Sequence, residues 1–380
     1  MAVLRYSPTI KRLIRQDSPE ELGRPTRLHL EEAVREGRAE EARQWLDYLI
    51  AEVAGIHYLL SAWSWYMVRY TLEREGEGAW HALLEESMAP WLGTTAGLLG
   101  EPVAAVVTEG HNGRLTVPGL PSEGVYVTEG EKRFHMTLGS PAEQEARRSA
   151  MRSEMDAAIG AGDMAAFTRV LDAWRIEDRF IHDVLSDWTW ALMTVLGRRW
   201  GEASLGEIQR ATEEPWVTVR YAAIRDISPE ESLQLSVEAH RGHFAGRSRE
   251  GAVTVIDESD RYVIQLDQCG SGGRMVQGDP VVGNGSRIDP PYNFMMIEGA
   301  YDWTWGIRGV GAYCSHCAIV NQILPIEWLG RPMRGTAFSD RADLPCKWFI
   351  YKRPDAIPDR TFTEVGKRRP VPASGEANRS

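Results

Sequence analysis

The 380-residue chain has four cysteines, and all of them fall between positions 269 and 346: Cys269, Cys314, Cys317 and Cys346. Cys314 and Cys317 form a C-x-x-C pair in YCSHC, a spacing that lets two sulfurs reach one ion at about 2.3 Å. Cys269 follows RYVIQLDQ and enters the glycine-rich CGSGGR, and Cys346 opens CKWFIYK. Strand ends and tight turns of this kind can bring thiolates to one point. Zinc is the expected occupant, because four thiolates suit it and no ferredoxin-like spacing is present; an iron–sulfur cluster is the alternative. If only three thiolates bind, a position stays open and the site becomes catalytic, with His316 as a further or ligand-orienting group. The competing reading is a set of buried free cysteines acting as small hydrophobes.

Other residues could serve chemistry beside the thiols. His182 stands with Asp183 and Asp187, and a neighbouring carboxylate can fix an imidazole's tautomer for acid–base work. His240 and His243 occur together in VEAHRGHF. The catalytic candidates are therefore His182, Asp183, Asp187 and His240. The loop GSGGR (270–274) can form an anion nest with Arg274 at its end. Trp303 and Trp305 precede the C-x-x-C and are candidate pocket walls. The plainer alternatives are a buried His182–Ser186 hydrogen bond and a flexible turn at the glycines.

The elements that must position these groups repeat along the chain. AGIHYLLSAWSWYM (54–67) matches RFIHDVLSDWTWAL (179–192) at an offset of 125, pairing His57 with His182 and Trp63 with Trp188. The same offset pairs Gly37 with Gly162 and Pro90–Trp91 with Pro215–Trp216. With a few inserted residues, VYVTEGEKRFHMTL (125–138) answers VTVIDESDRYVIQL (253–266). The expected fold is α+β: a tandem duplication of a helical-plus-β-hairpin module. A segment 1–27 precedes a scaffold copy, 28–140; the second copy, 153–352, carries the cysteine extension; and 353–380 is a disordered tail. In copy one, Pro141 answers Cys269 and cannot ligate a metal.

Local signals agree with that layout. Residues 42–73 are apolar nearly all round, as in a central buried helix. Ser228-Pro229-Glu230-Glu231 is a capping box opening a helix to about Ala239. GAVTVID and RYVIQLD flank the turn-prone ESD, which predicts a hairpin, and CKWFIYK predicts a further strand. Residues 1–25 are polar with proline breaks and predict a loose end.

Composition narrows the partners. A net charge of −11 repels phosphate backbones and argues against nucleic acid. The most apolar run, Val53 to Val68, is shorter than a membrane span, and the N-terminus has no signal-peptide core. The expectation is a cytoplasmic protein, where reduced cysteines serve as ligands or nucleophiles. Oligomeric state is left open, a homo-oligomer included. The 14 Trp against 8 Phe suit deep packing and pocket walls alike.

YCSHCAIVNQILPIEWLG followed by PCKWFIYK resembles the L-2-amino-thiazoline-4-carboxylate hydrolase family and the cysteine-bearing ligand-sensor domains related to 4-vinyl reductase, over about 80 residues. The resemblance implies a small-molecule pocket beside a thiolate metal site in an α+β fold. The functional expectation is a metal-dependent hydrolase or lyase acting on a small polar molecule. The alternatives are a non-catalytic small-ligand sensor with structural zinc and an iron–sulfur redox protein.

Overall fold

The computed structural model describes residues 4–76, 79, 82–83, 86–87, 114–116, 125–129, 132–137, 141–223, 225–341 and 343–370. Within them the chain mixes long helices with small, mostly antiparallel sheets, the α+β class expected. The expected match at Pro90–Trp91 lies outside the described residues.

Four helices organise the first two thirds: α1 (Thr26–Arg35), α2 (Ala39–Glu75), α3 (Pro141–Ala161) and α4 (Met164–Trp200). Glycines punctuate them at the same places. Gly37 (φ +71°) ends α1 and Gly162 (φ +66°) ends α3, the left-handed backbone that favours glycine at a helix end. Gly76 (φ +87°) and Gly201 (φ +88°) follow α2 and α4. Both α2 and α4 run 37 residues. They pack together, and their partners exchange: Trp63 of α2 donates to Thr212 Oγ1, and Trp188 of α4 donates to Ser87 Oγ. Ser64 and Thr189, 125 residues apart, meet each other at 2.9 Å. Each buried indole thus has a partner for its N–H, as Trp burial requires.

α5 (Leu205–Ala223) and α6 (Pro229–Gly242) follow, α6 opened by the expected capping box. The expected hairpin then forms. β6 (Thr254–Asp257) pairs with β7 (Arg261–Leu266), and β11 (Cys346–Tyr351) pairs with β7's other edge. β10 (Gly335–Ala337) completes a four-stranded antiparallel sheet, order β10-β11-β7-β6. Its apolar face, with Val255, Ile264, Leu266 and Ile350, packs on Leu233 and Val237 of α6. Earlier in the chain, Val125–Glu129 and Lys132–Thr137 form an antiparallel pair that Arg114–Thr116 joins in parallel.

Both chain ends differ from expectation. Leu4–Ser7 and Arg12–Arg15 pair as a hairpin, tied down by Ser7 to Glu231 (2.6 Å) and Arg12 to Glu238 (2.9 Å). Buried Arg15 donates to the Arg24 carbonyl at 2.7 Å. At the other end, residues 354–370 are folded: Pro354–Ala356 and Arg360–Thr363 are helical turns. Ile357, Phe362 and Val365 are buried with Trp305 and Ile319. Polar composition obscured three apolar anchors spaced to face one surface. Residues 371–380 lie outside the described set.

Phe362 is 1% exposed, so Phe362→Ala is expected to cost about 3–5 kcal/mol. Denaturant unfolding measures it; a loss under about 1 kcal/mol would return the segment to a dispensable tail.

Candidate functional site

The sheet and one loop bring the four cysteines to a single cavity. Cys346 begins β11 opposite Leu266, and Cys269 lies three residues beyond Leu266 on the same chain. Cys314 and Cys317 sit at the entry to a helix built from His316–Ala318, Ile319–Ile323 and Leu324–Leu329. Its middle segment is a π-turn, a local irregularity found at functional sites more often than elsewhere. All four side chains line one cavity with Leu266, Val276, Trp305, Phe338 and Trp348, and all four are free thiols, each half-buried. The space inside is about 40 Å³, room for roughly three waters.

Glycine makes the convergence possible. A Cβ on Gly272 would stand 2.6 Å from Cys314 Sγ, and one on Gly270 would stand 1.6 Å from the His243 carbonyl oxygen. The loop therefore wraps the thiols at a distance no side chain allows. The sulfurs have polar neighbours as well. Ser339 N–H donates to Cys346 Sγ at 3.1 Å, Cys269 Sγ is 3.4 Å from Ser271 Oγ, and Cys317 Sγ is 3.6 Å from His316 Nε2. Burial pushes the Cys314 and Cys317 thiols well above the ordinary thiol range, and the neighbouring cysteines add to it. Burial also raises Cys346 to about 12. Without a cation these groups are neutral, so a thiolate nucleophile has no support here. Among the described residues, no three His, Cys, Asp or Glu side chains are already drawn together around one ion position.

Of the expected pocket residues, Trp305 reaches the cavity. Its indole stacks on Phe338 (5.6 Å, 15°) and donates to Gln322 at 2.7 Å. Trp303 does not line it: that ring stacks on Tyr301 and covers Gly206. Arg274 is not an anion holder either. It lies in a short helix, Gly272–Gln277, is 1% exposed, and pairs with Asp187 and Asp183. The expected nest is replaced by a helical turn in which Arg274 N–H donates to the Cys269 carbonyl.

The acid–base candidates form a second buried group, outside the cavity wall. Asp187 lies between Arg274 and Arg287, and Asp183 is bound by Arg249 and Arg274. Burial opposes ionisation of Asp183, but the two arginines outweigh it and hold its carboxyl far below the usual range. His182 Nδ1 lies 2.9 Å from Asp183 Oδ1, and its Nε2 lies 2.9 Å from His243 Nδ1. Asp183 can only accept, so His182 donates through Nδ1 and accepts from His243 at Nε2. The expected His182–Ser186 bond is absent: Ser186 bonds the Asp183 carbonyl and Arg274. In the first half, His57 Nε2 lies 3.1 Å from the Asp178 carbonyl.

His240 is the residue sequence reasoning placed least well. It is 2% exposed, packs at a tilt against Trp348 (4.2 Å, 54°), and neither ring nitrogen has a hydrogen-bond partner. It backs the cavity wall rather than facing the thiols. Missed altogether were Glu213, a fully buried carboxyl without a partner that burial drives well above the usual range, and the arginines Arg249 and Arg287. No local spacing signals the two arginines, because their partners lie 30–100 residues away.

No family model, curated protein or solved structure matches this chain. No helix among the described residues is long and apolar enough to cross a membrane.

His240 yields a pH prediction. Burial, then Arg334 and His316, lower it to about 3, whereas an unfolded histidine titrates near ~6.5. Below pH ~6.5 the unfolded chain takes a proton that the folded chain refuses, so this contribution to stability is full above that pH and falls on acidification. Between pH 7 and 5 His240→Leu should therefore lose about 2 kcal/mol less stability than the parent. Urea unfolding at both pH values checks it; parallel losses would mean that His240 is protonated in the fold.

Proposed function

We propose that this chain is a metal-centre protein whose Cys269, Cys314, Cys317 and Cys346 ligate one metal group as thiolates. The observation that carries the reading is the arrival of four thiols, from the end of a strand, a loop, a helix entry and a strand start, at one small cavity. Chance burial of free cysteines would scatter them through the core. A bound cation would also deprotonate Cys314, Cys317 and Cys346, whose thiols burial otherwise keeps neutral.

A hydrolytic role on an anionic molecule has less support. The cavity is too small for more than roughly three waters, and Arg274 is held by its own aspartates. Among its lining residues other than the thiols, Asp340, His316 and Tyr313 are the ionisable ones. The reading therefore stops at a metal group beside the Trp305 wall, with the Asp183–His182–His243 chain as a buried polar support behind it.

We further infer a tandem duplication. The equal lengths of α2 and α4, the paired glycine ends and the exchanged Trp63–Thr212 and Trp188–Ser87 bonds support it. In this reading the first half is a packing partner and the second half holds the centre.

Thiolates sharing one group act as a unit, so losing one exposes an unpaired site. Cys314→Ser and Cys317→Ser are each expected to reduce bound metal at least tenfold, measured by elemental analysis of the purified full chain. Metal content equal to the parent in both variants would remove the pair from the ligand set.

A further inference from the structure

We infer that the group fitted by the four-thiol cavity is an iron–sulfur cluster rather than a single zinc ion; the inference rests on the metal-centre reading above. Both occupants accept four cysteines, so the sequence leaves them open. The cavity separates them by room. A tetrahedral zinc–thiolate site at about 2.3 Å per bond leaves sulfurs about 3.8 Å apart, with the ion filling the space between them. Here the thiols share the lining of a void of about 40 Å³ with apolar side chains, and among the described residues no three of them already stand around one ion position. No hydrogen bond joins one of these thiols to another; Cys269, Cys317 and Cys346 each contact a different non-cysteine neighbour. A wider group, with inorganic sulfide at its centre, occupies such a space without drawing the four chain segments inward.

The surroundings supply donors and a cation for the charge of that group, set against the Asp340 carboxylate in the lining and the Ser339 carbonyl that accepts from Cys346 Sγ at 2.9 Å. Inserting a cluster core of charge +2 into four neutral thiols gives a dianion and releases four protons to solvent, with no change of oxidation state. A buried dianion needs donors and a nearby positive charge. Ser339 N–H already points at Cys346 Sγ. Arg334 lies over the Trp348 ring at 4.7 Å, fixed by Ser236 (2.6 Å) and Asn321 (2.8 Å). Leu266, Val276, Trp305, Phe338 and Trp348 give the rest of the cavity an apolar lining, and hydrogen bonds to sulfur are among the factors that set a cluster's potential.

The test uses the full chain, incubated anaerobically with sulfide and equal parts ferrous and ferric iron, or separately with zinc. Iron and acid-labile sulfide are counted after desalting, and visible absorption is recorded. The expected result is a brown protein with iron and sulfide in equal number, about two of each per chain, since the void has no room for the eight-atom cluster. That signal should be lost in the Cys314→Ser/Cys317→Ser variant and in the Cys269→Ser/Cys346→Ser variant. Circular dichroism on each variant separates loss of ligands from loss of fold. If both variants unfold, the count on the parent chain, repeated after alkylating its thiols under native conditions, decides. One zinc per chain with no retained iron would overturn this inference and keep the metal-centre reading. Neither metal bound would overturn both. Iron and sulfide retained by the folded cysteine variants would mark adventitious iron sulfide and overturn the assignment of the cluster to these thiols.

Discussion

The placement of the cysteine-bearing loop depends on two buried aspartates in the middle of α4. Asp187 binds Arg274 and Arg287, and Asp183 binds Arg249 and Arg274. Arg249 also holds Asp279. Three arginines, Arg274 from the short helix and Arg249 and Arg287 from loops, are thereby fastened to the central helix, and they tie down the segment from Cys269 to Arg287. Burying so many charges stabilises little in net terms, because desolvation offsets most of the attraction. Removing one partner is another matter: it leaves an uncompensated buried charge, at a cost of about 3–5 kcal/mol. The network therefore specifies one conformation of the loop more than it adds stability.

From that anchor the cavity follows by short steps. The Cys269 carbonyl accepts from Arg274 N–H, the first turn of the short helix that carries the arginine inward. The glycines between them let the loop close on Cys314, and β7–β11 pairing brings Cys346 to the same end of the sheet. The C-x-x-C enters from the opposite side, with Ser315 fixed by Gln209 of α5 at 2.8 Å. Three kinds of constraint set the four thiols: an ion pair for Cys269, a strand register for Cys346, and a helix entry for Cys314 and Cys317. Such a site tolerates little movement of any one element. Trp63 of α2 packs behind it, against the cavity-lining rings of Tyr313 (5.5 Å) and His316 (5.3 Å).

Much of this was legible in the sequence, and the reasons are local. The capping box at Ser228, the β6–β7 hairpin and the strand at Cys346 are each written in a few adjacent residues. The gathering of Cys269, Cys314, Cys317 and Cys346 was legible because residue type and strand-end position pointed the same way. What was hidden depends on distant partners. Arg274 reads as an exposed loop cation until Asp187, 87 residues earlier, claims it. Trp303 reads as a pocket wall, but Gly206 offers its ring a flat seat elsewhere. His240 sits near the thiols in space, yet behind Trp348, a relation that no spacing encodes. The folded segment after 353 was masked by prolines and arginines surrounding Ile357, Phe362 and Val365.

The central claim is that four thiolates share one metal group. X-ray absorption at the metal edge of the purified, metal-loaded full chain counts the sulfur neighbours of the metal directly. The account predicts a shell made of sulfur alone, at about 2.3 Å, with metal present in every folded molecule. A shell dominated by nitrogen or oxygen, or one with fewer than three sulfurs, would contradict it.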